Sequence, residues 1–224
     1  MVEQAGSAGG EVLVDLNDLR DKVLAQDKLN WQGHPIVVVA ATTANIADEA
    51  TRLIEVDYEL LPIVEDIRQA IAPGAPVIHE KVRTKGLGDE GNTPSNIAVH
   101  MVVERGNIED GFRGSDLVVE HEFSTPVVHQ GYLEPHATTA EVDSNGHATV
   151  WTTTQGAFGI KAQLCSLLGI AQPDVTVIPT EIGGGFGGKN TVFLEPLALL
   201  LARKTGQAVK MVMSREETLK ATGP

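Results

Sequence analysis

The sequence predicts an α+β fold in two parts, and three observations carry that prediction. β-Branched apolar runs of strand length alternate with stretches of helical period, as in PIVVVAA (35–41) followed by ANIADEATRLIEV (44–56). A hairpin signal, Asn145-Gly146, sits between alternating runs at 138–142 and 147–153. Between these regions, residues 81–114 are rich in Gly, Asn, Asp and Thr without periodicity, which reads as a linker or loop region.

The elements follow in order. Residues 1–10 form a loose leader of small residues, and DLNDLRDKVLAQ (15–26) predicts a short helix. PIVVVAA has the composition of a buried strand. Thr43 is placed to cap the next helix, in which Ala44, Ile46, Ala47, Ala50, Leu53 and Ile54 recur at helical spacing. VDYELLP (56–62) predicts a second strand stopped by Pro62, so a small α/β unit ends near Glu80. DLVVEHEF (116–123) alternates and predicts a half-buried strand. After the Asn-Gly hairpin, for which a type I′ turn is expected, AFGIKAQLCSLLG (157–169) predicts a helix closed by Gly169. A strand (VTVIPTEI), a glycine-rich stretch, a helix to about Lys204, a strand (AVKMVMS) and a helix-friendly tail complete the chain.

Composition narrows the function classes. Across 224 residues, 42% hydrophobic and 21% charged content are those of a globular protein, and the 4% aromatic share leaves the core to aliphatic residues. A formal charge of −13 with no basic block argues against a nucleic-acid partner. The single cysteine, Cys165, lies in an apolar helical pattern and reads as a buried thiol; one cysteine cannot hold an iron–sulfur cluster. MVEQAGSAGGEVLV lacks the features of a signal peptide and no run is long enough to span a membrane, so cytoplasm is the expected compartment.

The richest chemistry lies in EIGGGFGGKN (181–190). Gly183, Gly185 and Gly188 satisfy a dinucleotide template, whereas Gly183, Gly188 and Lys189 satisfy the start of a P-loop. Asn190 stands where a P-loop needs a magnesium-binding hydroxyl, and the acidic residue expected about 20 residues past a dinucleotide loop is replaced by Lys204. The nucleotide readings are therefore minor alternatives, beside a loop whose glycines serve packing alone. What survives is that glycines admit close backbone approach to a ligand and can present free N–H groups.

IGGGFGGK, TTTQGAFGIKAQLCSLLGI, YLEPHATTAEV and GHPIVVVAATTANIADEATRLIEVDYELLPIVED, in that family's order, resemble the molybdenum hydroxylases: xanthine dehydrogenase, aldehyde oxidase and carbon monoxide dehydrogenase large subunits. The resemblance covers about Leu24 to the C-terminus. It implies the second half of an α/β hammerhead domain (1–80), a linker (81–114) and the first part of a molybdopterin-binding domain (115–224). It also implies hydroxylation of an electron-poor carbon with oxygen from water at a molybdenum–molybdopterin cofactor, as the cytosine dinucleotide if the source is bacterial. Electrons then leave through [2Fe-2S] clusters to FAD on partner chains or domains.

By position, the resemblance places Gln155 and Phe186 beside molybdenum, and gives the backbone amides of Gly185 and Gly187 to cofactor oxygens. Asn190 takes the place of a substrate-orienting glutamate of the xanthine branch, which argues against xanthine as substrate because an amide cannot titrate. Lys189 is expected at the surface or in a salt bridge. Glu134 and His136, with His121 and His129, match no zinc spacing and are expected in structural hydrogen bonds. The catalytic glutamate is expected outside this sequence, so the chain alone should not turn over. The implied partners are the rest of the large subunit, an iron–sulfur subunit, an FAD subunit and a small-molecule substrate. The alternatives are a non-catalytic assembly or binding module and a truncated fragment.

Overall fold

A computed structural model describes residues 16–81, 83–86 and 92–222. The predicted leader lies outside the described residues. The chain divides into two compact units: residues up to Asp57 together with Val128 onward, and Tyr58–Val127.

The first unit holds helices α1 (Leu16–Val23) and α2 (Ala44–Arg52), and a sheet of four strands. Strands β1 (Ala137–Val142) and β2 (Ala148–Thr152) pair antiparallel. Helix α5 (Ala157–Leu168) carries the chain to β3 (Val175–Pro179), which runs parallel to β2 as such a crossover requires. Helix α6 (Glu195–Thr205) leads to β4 (Val209–Val212), antiparallel to β1, so the spatial order is β3-β2-β1-β4. A short α7 (Arg215–Ala221) closes the unit. The second unit contains two short helical elements, α3 (Ile67–Ala70) and α4 (Ile108–Arg113).

The sheet is half buried, as its period-two sequence dictates. Ala140, Val150 and Val175, with Val177 and Val209 in register, face α5 and α6, where Ile160, Leu164, Ala198 and Leu199 are buried. The alternate positions Glu141, Thr149 and Trp151 lie on the less covered face. Local chemistry sets the element ends. Thr43 accepts the Ile46 N–H at the start of α2, and Gly169 and Gly206 close α5 and α6 in the left-handed region, at φ +64° and +65°. Ser214 and Glu217 form a capping box on α7.

Three expectations are corrected. The predicted strands at 35–41, 56–62 and 116–123 have no ladder partner among the described residues. Side-chain pattern selects residues a sheet would accept, but a strand also needs a neighbour to take its N–H and C=O groups. The hairpin is present, yet its turn is not type I′. The Asp143 carboxylate accepts the N–H groups of Asn145 and His147, Gly146 alone has a positive φ, and Asp143 N–H bonds His147 O at 3.0 Å. That is a three-residue loop built on a type I turn with a left-handed glycine. A helix, α4, occurs in the 81–114 stretch because Asn107 caps it by accepting the Asp110 N–H. Lys189 is in a salt bridge, one of the two placements expected for it, and is buried.

Candidate functional site

The glycine stretch connects β3 to α6, and two other segments grip it. The first is Thr152–Gly156, which leaves the end of β2. Gln155 N–H donates to Lys189 O at 3.0 Å, and Thr154 Oγ1 donates to the same carbonyl at 3.1 Å. In return Gln155 Oε1 accepts the N–H groups of Gly187 and Lys189, each at 3.1 Å. Two donors on one atom identify that atom as the oxygen, so the amide NH2 points away from the loop. It has no hydrogen-bond partner among the described residues, and Gln155 is exposed.

The second gripping segment is Gln130–His136, which precedes β1. Glu134 Oε2 accepts from Gly183 N–H and from Lys189 Nζ, both at 2.8 Å. Partial burial alone would raise this carboxyl, but the bonds from Lys189 and Gly183 outweigh it and hold the group below the usual carboxylate range. Lys189 is 1% exposed, and its ammonium also lies 4.9 Å from the centre of the Tyr132 ring.

Tyr132 forms the floor of the site. Its hydroxyl meets His136 Nε2 at 2.7 Å and Thr222 Oγ1 at 3.1 Å. The network fixes its own protons: His129 Nδ1 accepts the Gly131 N–H, so Nε2–H donates to Thr222 Oγ1, whose hydroxyl donates to Thr218 O. Burial raises the Tyr132 hydroxyl and lowers the His136 imidazole to about 4, the latter assisted by the positive charge of Lys189. These histidines therefore serve structural hydrogen bonds. His121 belongs to the other unit, and no group of three or more His, Cys, Asp or Glu that could hold a metal ion occurs among the described residues.

The structure brings Gln155, Gly185, Gly187 and Asn190 together. A Cβ on Gly185 would lie 2.5 Å from Gln155 Oε1, so only glycine fits beneath that amide. Asn190 Nδ2 donates to Gly187 O at 3.3 Å. Phe186 adopts φ +49° and is 74% exposed, the single non-glycine residue with positive φ among those described. The Gly187 N–H is occupied by Gln155, whereas the N–H groups of Gly184, Gly185 and Phe186 have no protein acceptor among the described residues. Gly185 is buried, and a buried N–H without a partner points to an acceptor supplied from outside the chain. These residues fit a group that offers oxygen acceptors and needs close backbone approach.

A phosphate does not suit the next helix. Helix α6 begins five residues after Lys189's neighbour Asn190, and its first position is Glu195, a fully buried carboxyl whose acidity is lowered by burial. Thr152 Oγ1 and Phe193 N–H bond to it at 2.7 and 2.9 Å. The helix end that a P-loop uses for phosphate is thus taken by a side chain. Sequence reasoning missed the roles of Tyr132 and Glu195 and the partner of Glu134. The pairing of Glu134 with Lys189 joins residues 55 apart, and no local spacing announces it.

Comparison with known proteins shows the family of the chain. The molybdopterin cofactor-binding domain family matches residues 89–224, and the α/β hammerhead domain of aldehyde oxidase and xanthine dehydrogenase matches residues 3–62. The carbon monoxide dehydrogenase large chain of Afipia carboxidovorans is 30% identical over 89% of this chain and 25% of its own length. The nicotinate dehydrogenase large molybdopterin subunit of Eubacterium barkeri is 32% identical, over 87% of this chain and 43% of its own. The crystal structure of quinoline 2-oxidoreductase from Pseudomonas putida 86 superposes with a TM-score of 0.69 at 26% identity, covering 80% of this chain and 21% of that one. The chain thus spans between about a quarter and under half of the length of these curated relatives. Its fold is that of molybdenum hydroxylase large subunits, and the chain belongs to the molybdopterin cofactor-binding domain family.

Proposed function

We propose that this chain forms one wall of the cofactor site in an oxidoreductase that hydroxylates an aldehyde or N-heterocyclic carbon with oxygen from water. One observation carries the reading. The Gln155 carbonyl oxygen is saturated by loop N–H groups, which leaves its NH2 as a donor on an exposed residue, in a loop where the N–H groups of 184–186 are unpaired among the described residues. When bound, a molybdenum–molybdopterin cofactor supplies the two-electron chemistry at the substrate carbon. Gln155 and Gly185 then serve as hydrogen-bond donors to its oxygens, and Phe186 excludes water on one side. Asn190 faces substrate as a neutral donor and acceptor. The base that removes the proton from water is assigned to no residue of this chain, so turnover is expected only with further sequence.

The same reading includes the cytosine dinucleotide form of the cofactor, and [2Fe-2S] and FAD groups on other domains or chains. The division into 1–80, 81–114 and 115–224 also belongs to it; the family matches run over 3–62 and 89–224, so the second begins within the proposed linker. For partners, the support is the apolar surface of the second unit, where Leu60, Val103 and Phe123 are 92%, 84% and 88% exposed. Side chains of that kind suit an obligate interface with the remaining large-subunit sequence. No helix among the described residues is long and apolar enough to cross a membrane.

The test is purification from the native host through a tag on this chain, followed by assay of molybdenum, pterin and iron and identification of co-purifying chains. Molybdenum and pterin in stoichiometric amount support the reading; a preparation with companions but neither molybdenum nor pterin overturns it.

A further inference from the structure

The loop from Gly183 to Lys189 has little structure of its own. Its one internal backbone bond is Gly188 N–H to Gly185 O at 2.8 Å. Yet it holds Phe186 at φ +49°, a conformation that costs roughly 1–3 kcal/mol and persists only where the surroundings over-determine it. The constraint must come from outside the loop.

It comes in large part from one atom. Glu134 Oε2 binds the first residue of the loop through Gly183 N–H and the last through Lys189 Nζ, both at 2.8 Å. Glu134 N–H donates back to Gly183 O at 3.2 Å, which makes the first contact reciprocal. A Cβ on Gly183 would fall 2.8 Å from Glu134 Cβ, so the approach leaves no room for another residue. The Lys189 side chain is fully buried while that of Glu134 is 31% exposed. The buried cation therefore depends on this carboxylate, since an unpaired buried charge is strongly unfavourable.

We propose that Glu134 is a positioning residue: its carboxylate clamps both ends of the glycine loop and so fixes where Gln155 and Phe186 meet the cofactor. Lys189 couples the two anchors, because its backbone N–H and C=O are held by Gln155 while its ammonium is held by Glu134. Release of the ammonium loosens the residue through which the Gln155 amide is aimed. The inference rests on the reading of this loop as the cofactor wall.

Two variants test it, Lys189→Met and Glu134→Gln, each in the full chain purified with its companion chains. Lys189→Met keeps the apolar stem over Tyr132 and leaves behind a carboxylate that water can still reach, so it is the variant that folds. Hydrogen–deuterium exchange is followed in peptides covering 181–193 and 137–152, and molybdenum and pterin are measured per chain. Exchange at 183–189 is expected to quicken at least tenfold in Lys189→Met, with β1–β2 unchanged and cofactor content reduced severalfold. Unchanged loop exchange in both variants, or equal quickening throughout the sheet, overturns the proposal, the second because it marks a contribution to global stability alone. Loss of loop protection with full cofactor retention also overturns it. If the unaltered chain carries no molybdenum or pterin, the cofactor reading fails and with it the proposed purpose of the clamp, while the exchange data still report whether the clamp exists.

Discussion

Gln155 and Lys189 hold each other twice, through Gln155 N–H to Lys189 O at 3.0 Å and through Lys189 N–H to Gln155 Oε1 at 3.1 Å. The pairing joins the end of β2 to the glycine loop and leaves the Gln155 NH2 turned outward. Two substitutions separate these jobs. Gln155→Glu keeps an acceptor for both loop N–H groups but deletes the outward donor, so thermal stability is expected to stay near that of the parent while cofactor content or turnover falls. Gln155→Ala strands the N–H of buried Lys189 and is expected to cost about 1–3 kcal/mol as well. Chemical denaturation and molybdenum assay on both variants check this; equal stability losses would remove the distinction.

The close packing at Gly185 yields a second prediction. An added Cβ 2.5 Å from Gln155 Oε1 and 2.6 Å from its Cδ forces that amide out of place. Gly185→Ala is therefore expected to lose cofactor as Gln155→Glu does, with an added stability loss of about 1–3 kcal/mol from the broken loop bonds. The double variant Gly185→Ala/Gln155→Glu should be little worse in cofactor content than either single one, because both act through one amide.

This site was partly legible in the sequence, and the division has a physical cause. Caps and helix ends at Thr43, Gly169 and Gly206 were readable because each is a bond between residues a few positions apart. The hairpin was readable for the same reason, but its turn type was not: Asp143 supplies two acceptor contacts that outweigh the Asn-Gly preference. The resemblance marked Gln155, Gly185, Phe186, Gly187 and Asn190, and the structure gathers the loop residues around Gln155 and Asn190. The salt bridge of Lys189 is an expected placement, but its partner lies 55 residues away and no local spacing names it. The strands expected at 35–41 and 116–123 are absent because pairing is not a property of one segment.

Phe186 offers a third prediction. Its ring is mostly exposed, so Phe186→Ala removes little buried area and is expected to leave stability nearly unchanged while weakening turnover of the reconstituted holoenzyme. Phe186→Gly is expected to be more stable than Phe186→Ala by up to about 1 kcal/mol, because glycine tolerates φ +49° without a Cβ clash. Parent-like turnover in Phe186→Ala contradicts a role beside the metal.

Asn190 gives a fourth. It is exposed at the edge of the loop, and its one side-chain bond to the loop is a 3.3 Å contact to Gly187 O. Asn190→Glu introduces a titrating group at little structural cost, so substrate preference is expected to change while molybdenum content does not. The check is a kcat/KM series over aldehydes and N-heterocycles beside a molybdenum assay. Collapse of cofactor content would make Asn190 a residue of the loop's structure instead.

The floor of the site carries a pH dependence whose sign follows from burial. His136 is 3% exposed and its imidazole is lowered to about 4, first by desolvation, then by Lys189, with Glu134 opposing. An unfolded histidine takes up its proton near pH 6.5. Between about pH 6.5 and 4 the unfolded chain thus binds a proton that the folded chain refuses, so this group's stability contribution is full above that window and is lost as pH falls through it. The ceiling is on the order of 3 kcal/mol. Glu195 acts in the opposite sense: burial raises its carboxyl, so its contribution declines as pH rises above the ordinary carboxylate range. Comparison of the parent with His136→Gln cancels the Glu195 slope, because Glu195 is present in both. Unfolding free energies measured every half unit from pH 4 to 7.5 should show the parent losing stability relative to His136→Gln as the solution is acidified. A difference that stays flat across that range means that folding does not shift the His136 imidazole, and burial beside Tyr132 and Lys189 would then not be what sets its protonation.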